Sequence, residues 1–155
     1  MVDADQTNAD DRLDEAGQQV KVRREQLHEA TRDLAATLED TASDLGDRLA
    51  EVRRAIADTR DTIDNHVREA EASDGLLAQI LTDQPAFASR VEEMRREHIT
   101  LLEESADLVE ASQTAGSVDE LRDGATELIE LIQRHRHRSA ELLLDTYDLD
   151  LSAND

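Results

Sequence analysis

Apolar residues return every three or four positions through four long stretches of this chain. That spacing restricts it to helices that each bury one face. In residues 48–72 the series Leu49, Val52, Ile56, Thr59, Ile63, His66, Ala70 is unbroken. Residues 12–43 carry Leu13, Ala16, Val20, Leu27, Thr31, Leu34 and Leu38. A third series runs Phe87, Val91, Met94, His98, Leu101, Ser105, Leu108, and a fourth runs Leu121, Ala125, Leu128, Ile132, His135, Ser139, Leu142. Alternation at the strand period is nearly absent. One Pro and five Gly in 155 residues leave few places for the helices to break.

The breaks that exist read as turns. Asp44-Leu45-Gly46-Asp47 predicts a turn in which Gly46 takes positive φ and Asp47 caps the second helix. Ser73-Asp74-Gly75 closes that helix, and the apolar residues 76–81 predict a brief helix across one end of the molecule. Pro85 is tolerated in the first turn of the third helix. Ser117-Val118-Asp119-Glu120 fits a capping box that opens the fourth. The expected fold is all-α: an up-down-up-down antiparallel four-helix bundle with a short capping helix between the second and third helices. It occupies residues 12–147, between a disordered acidic N-terminus at 1–11 and an extended acidic tail at 148–155.

With 38 acidic and 17 basic side chains, the formal net charge is -21. Such a charge repels nucleic acid and anionic lipid, so neither is an expected partner. Lys21 is the only lysine, and the acidic, lysine-poor composition resembles that of halophilic proteins. The absence of cysteine excludes disulfides, thiolate metal sites and cysteine nucleophiles. No apolar run approaches a membrane span, and the polar N-terminus lacks signal-peptide character, so a cytoplasmic location is expected. No phosphate loop, nucleophile elbow or zinc-protease motif is present, and no catalytic residue or enzyme activity is assigned.

The informative residues are the histidines. His66, His98 and His135 hold core positions in otherwise apolar series, and His28 adjoins the core residue Leu27. His137 lies off the stripe. Counting to the turns tests their depth. Gly46 lies 18 residues after His28 and 20 before His66, a mismatch of about 3 Å at the helical rise. Gly116 lies 18 residues after His98 and 19 before His135, a mismatch of about 1.5 Å. Each antiparallel pair is thus expected to be level. Buried imidazoles need partners. A shared metal ion supplies them, and a hydrogen-bonded polar core is the alternative. Arg134, Arg136 and Arg138 around His135 make a local basic cluster, read either as cations paired with surface acids or as an anion site.

Several short motifs carry a family resemblance. They are Leu27-His28-Glu29-Ala30, Asn65-His66-Val67-Arg68-Glu69-Ala70-Glu71, Arg96-Glu97-His98-Ile99-Thr100-Leu101-Leu102 and His135-Arg136-His137-Arg138. In order and spacing the chain resembles the hemerythrin-like (cation-binding) proteins across about residues 24–147. The resemblance implies a four-helix bundle around non-haem iron, with His28, His66, His98 and His135 as ligands. The family also places an acid about four residues after the second helix's histidine; here that position is Ala70. Glu69 lies about 60° from His66 around the helix and is the carboxylate the resemblance can use, whereas Glu71, about 140° away, is expected to face solvent. The sequence leaves two irons, one ion or none open. The expected function is oxygen or redox sensing, iron handling or binding of a small diatomic ligand such as O2. The alternative is a metal-free helical interaction or structural protein with a polar histidine core. Self-association and a protein partner stay open.

Overall fold

The computed structural model describes the backbone of residues 4–41 and 44–153, and the side chains of residues 18, 21–41 and 44–146. The described chain is all-helical: α1 (Ala4–Glu39), α2 (Leu45–Ala70), α3 (Leu76–Asp83), α4 (Ala88–Thr114) and α5 (Asp119–Ala153). A single 3-10 turn, Pro85–Phe87, precedes α4. None of these helices is long and apolar enough to cross a membrane. Each long helix packs on two others, α1 on α2 and α5, and α4 likewise on α2 and α5.

The apolar series become the packed faces. Leu27 and Leu34 of α1, Val52, Ile56 and Ile63 of α2, Leu101 of α4 and Leu128 and Ile132 of α5 are all but fully buried in one cluster. A second, smaller cluster joins Leu77 and Ile80 of α3 to Phe87, Val91, Met94 and Leu142. The short helix thus covers one end of α4 and α5, as its apolar composition predicts. The side chains of Leu13, Ala16 and Val20, and residue 147, lie outside the described side chains.

The helix ends depart from several expectations. Asp44, not Asp47, caps α2, its carboxylate accepting from the Leu45 amide at 2.9 Å. Asp47 instead sits in the first turn, where its charge favours the helix dipole. Gly46 is helical, with no positive φ, because the helix already begins at Leu45. Pro85 opens the separate 3-10 turn, which fits its missing amide hydrogen. The backbone is helical from Ala4 and as far as Ala153, where the sequence predicts a disordered start and an extended tail. The Ser117–Glu120 box forms in part: Ser117 Oγ accepts from the Glu120 amide at 3.4 Å, while Glu120 Oε2 accepts from the Gly116 amide at 3.1 Å rather than from that of Ser117. Two arginines close other helix ends. Arg53 donates to the carbonyls of Ser112 in α4 and of its C-cap Ala115, and Arg122 to the Leu38 carbonyl of α1.

Candidate metal centre

His66, His98 and His135 meet between the two apolar clusters. On α4, His98 stands one turn from Met94 on one side and Leu101 on the other. On α5, His135 follows Ile132 and precedes Leu142; on α2, His66 follows Ile63. Helical spacing of three and four puts each ring in the place the next core leucine would take. One nitrogen from each ring lies within 4.8 Å of the others. The ring centroids of His98 and His135 are 4.8 Å apart, those of His66 and His135 5.2 Å, and those of His66 and His98 5.4 Å.

His135 and His98 are both buried, and His66 is half-buried. His66 Nε2 stands 3.0 Å from His135 Nε2. On the far side of its ring, His135 Nδ1 lies 2.9 Å from Glu97 Oε2, and Glu97 also accepts from Arg138. The carboxylate fixes the hydrogen of His135 on Nδ1 and leaves the Nε2 lone pair facing the other rings. His98 Nδ1 has Glu71 Oε1 at 3.4 Å, without hydrogen-bond alignment. The Nδ1 atoms of His66 and His98 are buried without a hydrogen-bond partner.

Electrostatics keeps His66 and His98 neutral. Burial, with the His135 and Arg23 charges, pushes His66 down to about 3. Burial, with His135, His66 and Arg95, pushes His98 to about 3 as well. Burial raises Glu97, but the hydrogen bonds from His135 and Arg138 outweigh it and hold the carboxylate below its ordinary range. Burial, with the nearby Arg24 charge, lowers Arg136.

These features fit a transition-metal cation. Neutral His66 and His98, with the Nε2 lone pair of His135, offer nitrogen donors to a metal ion. Nitrogens bound to one ion at about 2.0–2.1 Å stand about 3.3 Å apart in a tetrahedral shell. The triad brackets that spacing, from 3.0 Å between two Nε2 atoms to no more than 4.8 Å overall. A cavity of ≈ 90 Å³ opens beside the rings, walled by Leu77, Met94, Leu142 and Ser139. It has room for a few waters or one very small ligand.

The triad is three of the four expected histidines. His28 is exposed and lies outside it, because Leu27 takes the inward position and the next residue turns about 100° away. Its Nδ1 accepts from Arg136 Nη1 at 3.0 Å. Glu69 borders the same cavity, but it is exposed and its carboxylate is paired with Arg23. Glu71 does not simply face solvent. The helix ends at Ala70, and with φ -97° and ψ 1° Glu71 leaves the helical projection, which turns its carboxylate toward His98. Glu97 carries no sequence signal beyond adjoining His98. His137 is exposed and pairs with Glu141, as its place off the stripe predicts. A scan with protein-family models finds no match to the chain, and no curated protein and no solved structure matches it either.

Proposed function

We propose that the chain is a hemerythrin-like, up-down-up-down four-helix bundle of the cytoplasm that binds one metal ion on His66, His98 and His135. Iron is the ion the resemblance implies, and the role is oxygen or redox sensing, iron handling or binding of a small diatomic ligand. The observation that carries this reading is the cluster of three imidazoles in the core with a carboxylate behind two of them. Outer carboxylates orient ligating imidazoles and make them better donors. When bound, an iron ion would supply a Lewis-acidic centre able to change oxidation state. The chain's own part is to hold His66 and His98 neutral, orient His135 through Glu97, and limit access to a cavity of diatomic size.

A single ion is favoured over two. Among the described residues the clustered ligands are three histidines. Glu69 is engaged by Arg23, and Glu71 and Glu97 approach Nδ1 atoms of the rings. That leaves no carboxylate among the described residues of the site to bridge a second metal. The test is elemental analysis with an absorption spectrum on protein purified without chelator or histidine tag. One metal per chain, lost on replacing His98, is the expected result. Two irons with near-ultraviolet oxo-bridge bands would overturn the single-ion reading. No metal after anaerobic loading with iron or zinc would overturn metal binding altogether.

One observation favours the metal-free reading. The contact between His66 and His135 continues through Glu97 to Arg138, so part of the triad is satisfied by the protein itself. On that reading the histidines are a polar core layer, and the surface serves a protein partner or a second copy.

A further inference from the structure

The basic cluster around His135 does not act as one unit. Arg138 pairs with Glu97 on one side of α5. Arg136 turns the other way, into the groove between α1 and α5. There it meets Arg24 and Lys21 of α1, all three lining one open pocket of ≈ 320 Å³. That size is at the low end of small-molecule sites, which run from about 300 to 1,000 Å³.

The pocket brings three cations together, Lys21, Arg24 and Arg136. Six of the described arginines pair with a carboxylate: Arg23, Arg68, Arg90, Arg95, Arg122 and Arg138. Arg24 and Arg136 pair with no carboxylate among the described residues, and the Nε atom of each is buried without a partner. The polar contact of Arg136 is with the His28 ring. Glu25 is the one acid in the described lining. The rest of the described wall is apolar, formed by Leu76 and Leu143.

We propose that the pocket formed by Lys21, Arg24, His28 and Arg136 binds a small organic acid, its carboxylate held by the two guanidiniums and its aliphatic body resting on Leu76 and Leu143. Arginine donors match a carboxylate in geometry and charge, and an anion between two like charges removes their mutual repulsion. The leucines set the class. A bare inorganic anion leaves that wall wet, whereas a short hydrocarbon covers it. His28, which does not join the histidine triad, has a role here: accepting from Arg136, it holds the guanidinium toward the groove. This site stands independently of any metal, although Arg24, Leu76 and Leu143 also border the histidine cavity.

The experiment is a calorimetric titration of the full chain with hexanoate, acetate and inorganic phosphate at constant ionic strength. Saturable hexanoate binding is expected, tighter than that of acetate and of phosphate. Arg136→Gln and Arg24→Gln should each weaken it about tenfold, the usual worth of one charge-assisted hydrogen bond. Arg68→Gln, which removes the same charge from a remote surface pair, should leave it unchanged. Circular dichroism confirms that each variant is folded. Absence of saturable hexanoate binding, equal binding by the folded Arg24 and Arg136 variants, or phosphate binding as tight as hexanoate would overturn the proposal.

Discussion

Glu97 Oε2 lies 2.9 Å from His135 Nδ1, so the most deeply placed carboxylate near the triad orients a ring by touching its outer edge. If the triad holds a metal, this contact sets both the tautomer and the donor strength of His135. Glu97→Ala should then weaken metal binding about 10–100-fold, the range seen for outer partners of ligating histidines. Glu97→Gln keeps an acceptor and should lose less. Glu69→Gln, at a carboxylate held by Arg23, should change affinity little. Competition against a chelator of known affinity checks all three, and equal losses at positions 69 and 97 would contradict the geometry.

His98 separates the two readings of the triad. Its ring is buried, neutral, and has an Nδ1 without a hydrogen-bond partner. In metal-free protein, His98→Leu replaces that ring by a side chain suited to the neighbouring Met94 and Leu101. Stability should be unchanged or raised, by up to about 1 kcal/mol. In protein loaded with metal, the same variant should lose the ion, and with it whatever thermal stabilisation the ion gives. Paired melting curves, with and without added metal, read both effects. A variant that still takes up one ion per chain places the site elsewhere.

Much of this arrangement is legible in the residue spacing. His66, His98 and His135 each occupy a core position in an unbroken 3-4 series, and the structure brings those three together. His28 is one residue off its stripe, and one residue is about 100° of helix, enough to send the ring outward. The count to Gly46 cannot see this, because depth along an axis says nothing about direction around it. The solvent-facing expectation for Glu71 assumes an ideal helix, and the helix ends one residue earlier. Glu97 is hidden among 38 acids, since only the packing of α4 on α5 distinguishes it from the others. The arginine pair of the groove is equally hidden: Arg24 and Arg136 lie on helices far apart in sequence.

Acid should unfold the metal-free protein in a way set by the triad. His66 and His98 titrate near 6.5 in the unfolded chain and near 3 in the fold. Between those values the unfolded state binds the extra protons, so stability is full above about 6.5 and falls as the pH drops toward 3. Each ring contributes a slope of about 1.4 kcal/mol per pH unit within the window. Glu97, held below its ordinary range, adds a loss in the same direction at the acid end. Urea unfolding from about pH 7 to about pH 5 should show the decline, and His98→Leu should remove one ring's share of the slope. A flat profile would mean the rings are not held neutral by burial.

Two glycines should respond to the same substitution with opposite signs. Gly75 has φ -81°, an ordinary value, so it is not needed for backbone freedom. A Cβ there would press on the carbonyl oxygens of Glu69, Ala70 and Ala72, the last two at 2.9 and 3.0 Å. Those are backbone atoms at the end of α2, which cannot swing aside as a side-chain tip can. Gly75→Ala should therefore cost about 1–3 kcal/mol, typical of overpacking. It should also disturb the end of the helix that aims Glu71 at His98. Gly46 sits in the first turn of α2, and a methyl group added there would have nothing within 4 Å. At that position Ala gains helix propensity, so Gly46→Ala should stabilise by up to about 1 kcal/mol. Thermal melts of the two variants decide the matter. If Gly75→Ala melts at or above the wild-type temperature, the close approach of α3 to the end of α2 is not as tight as the structure has it.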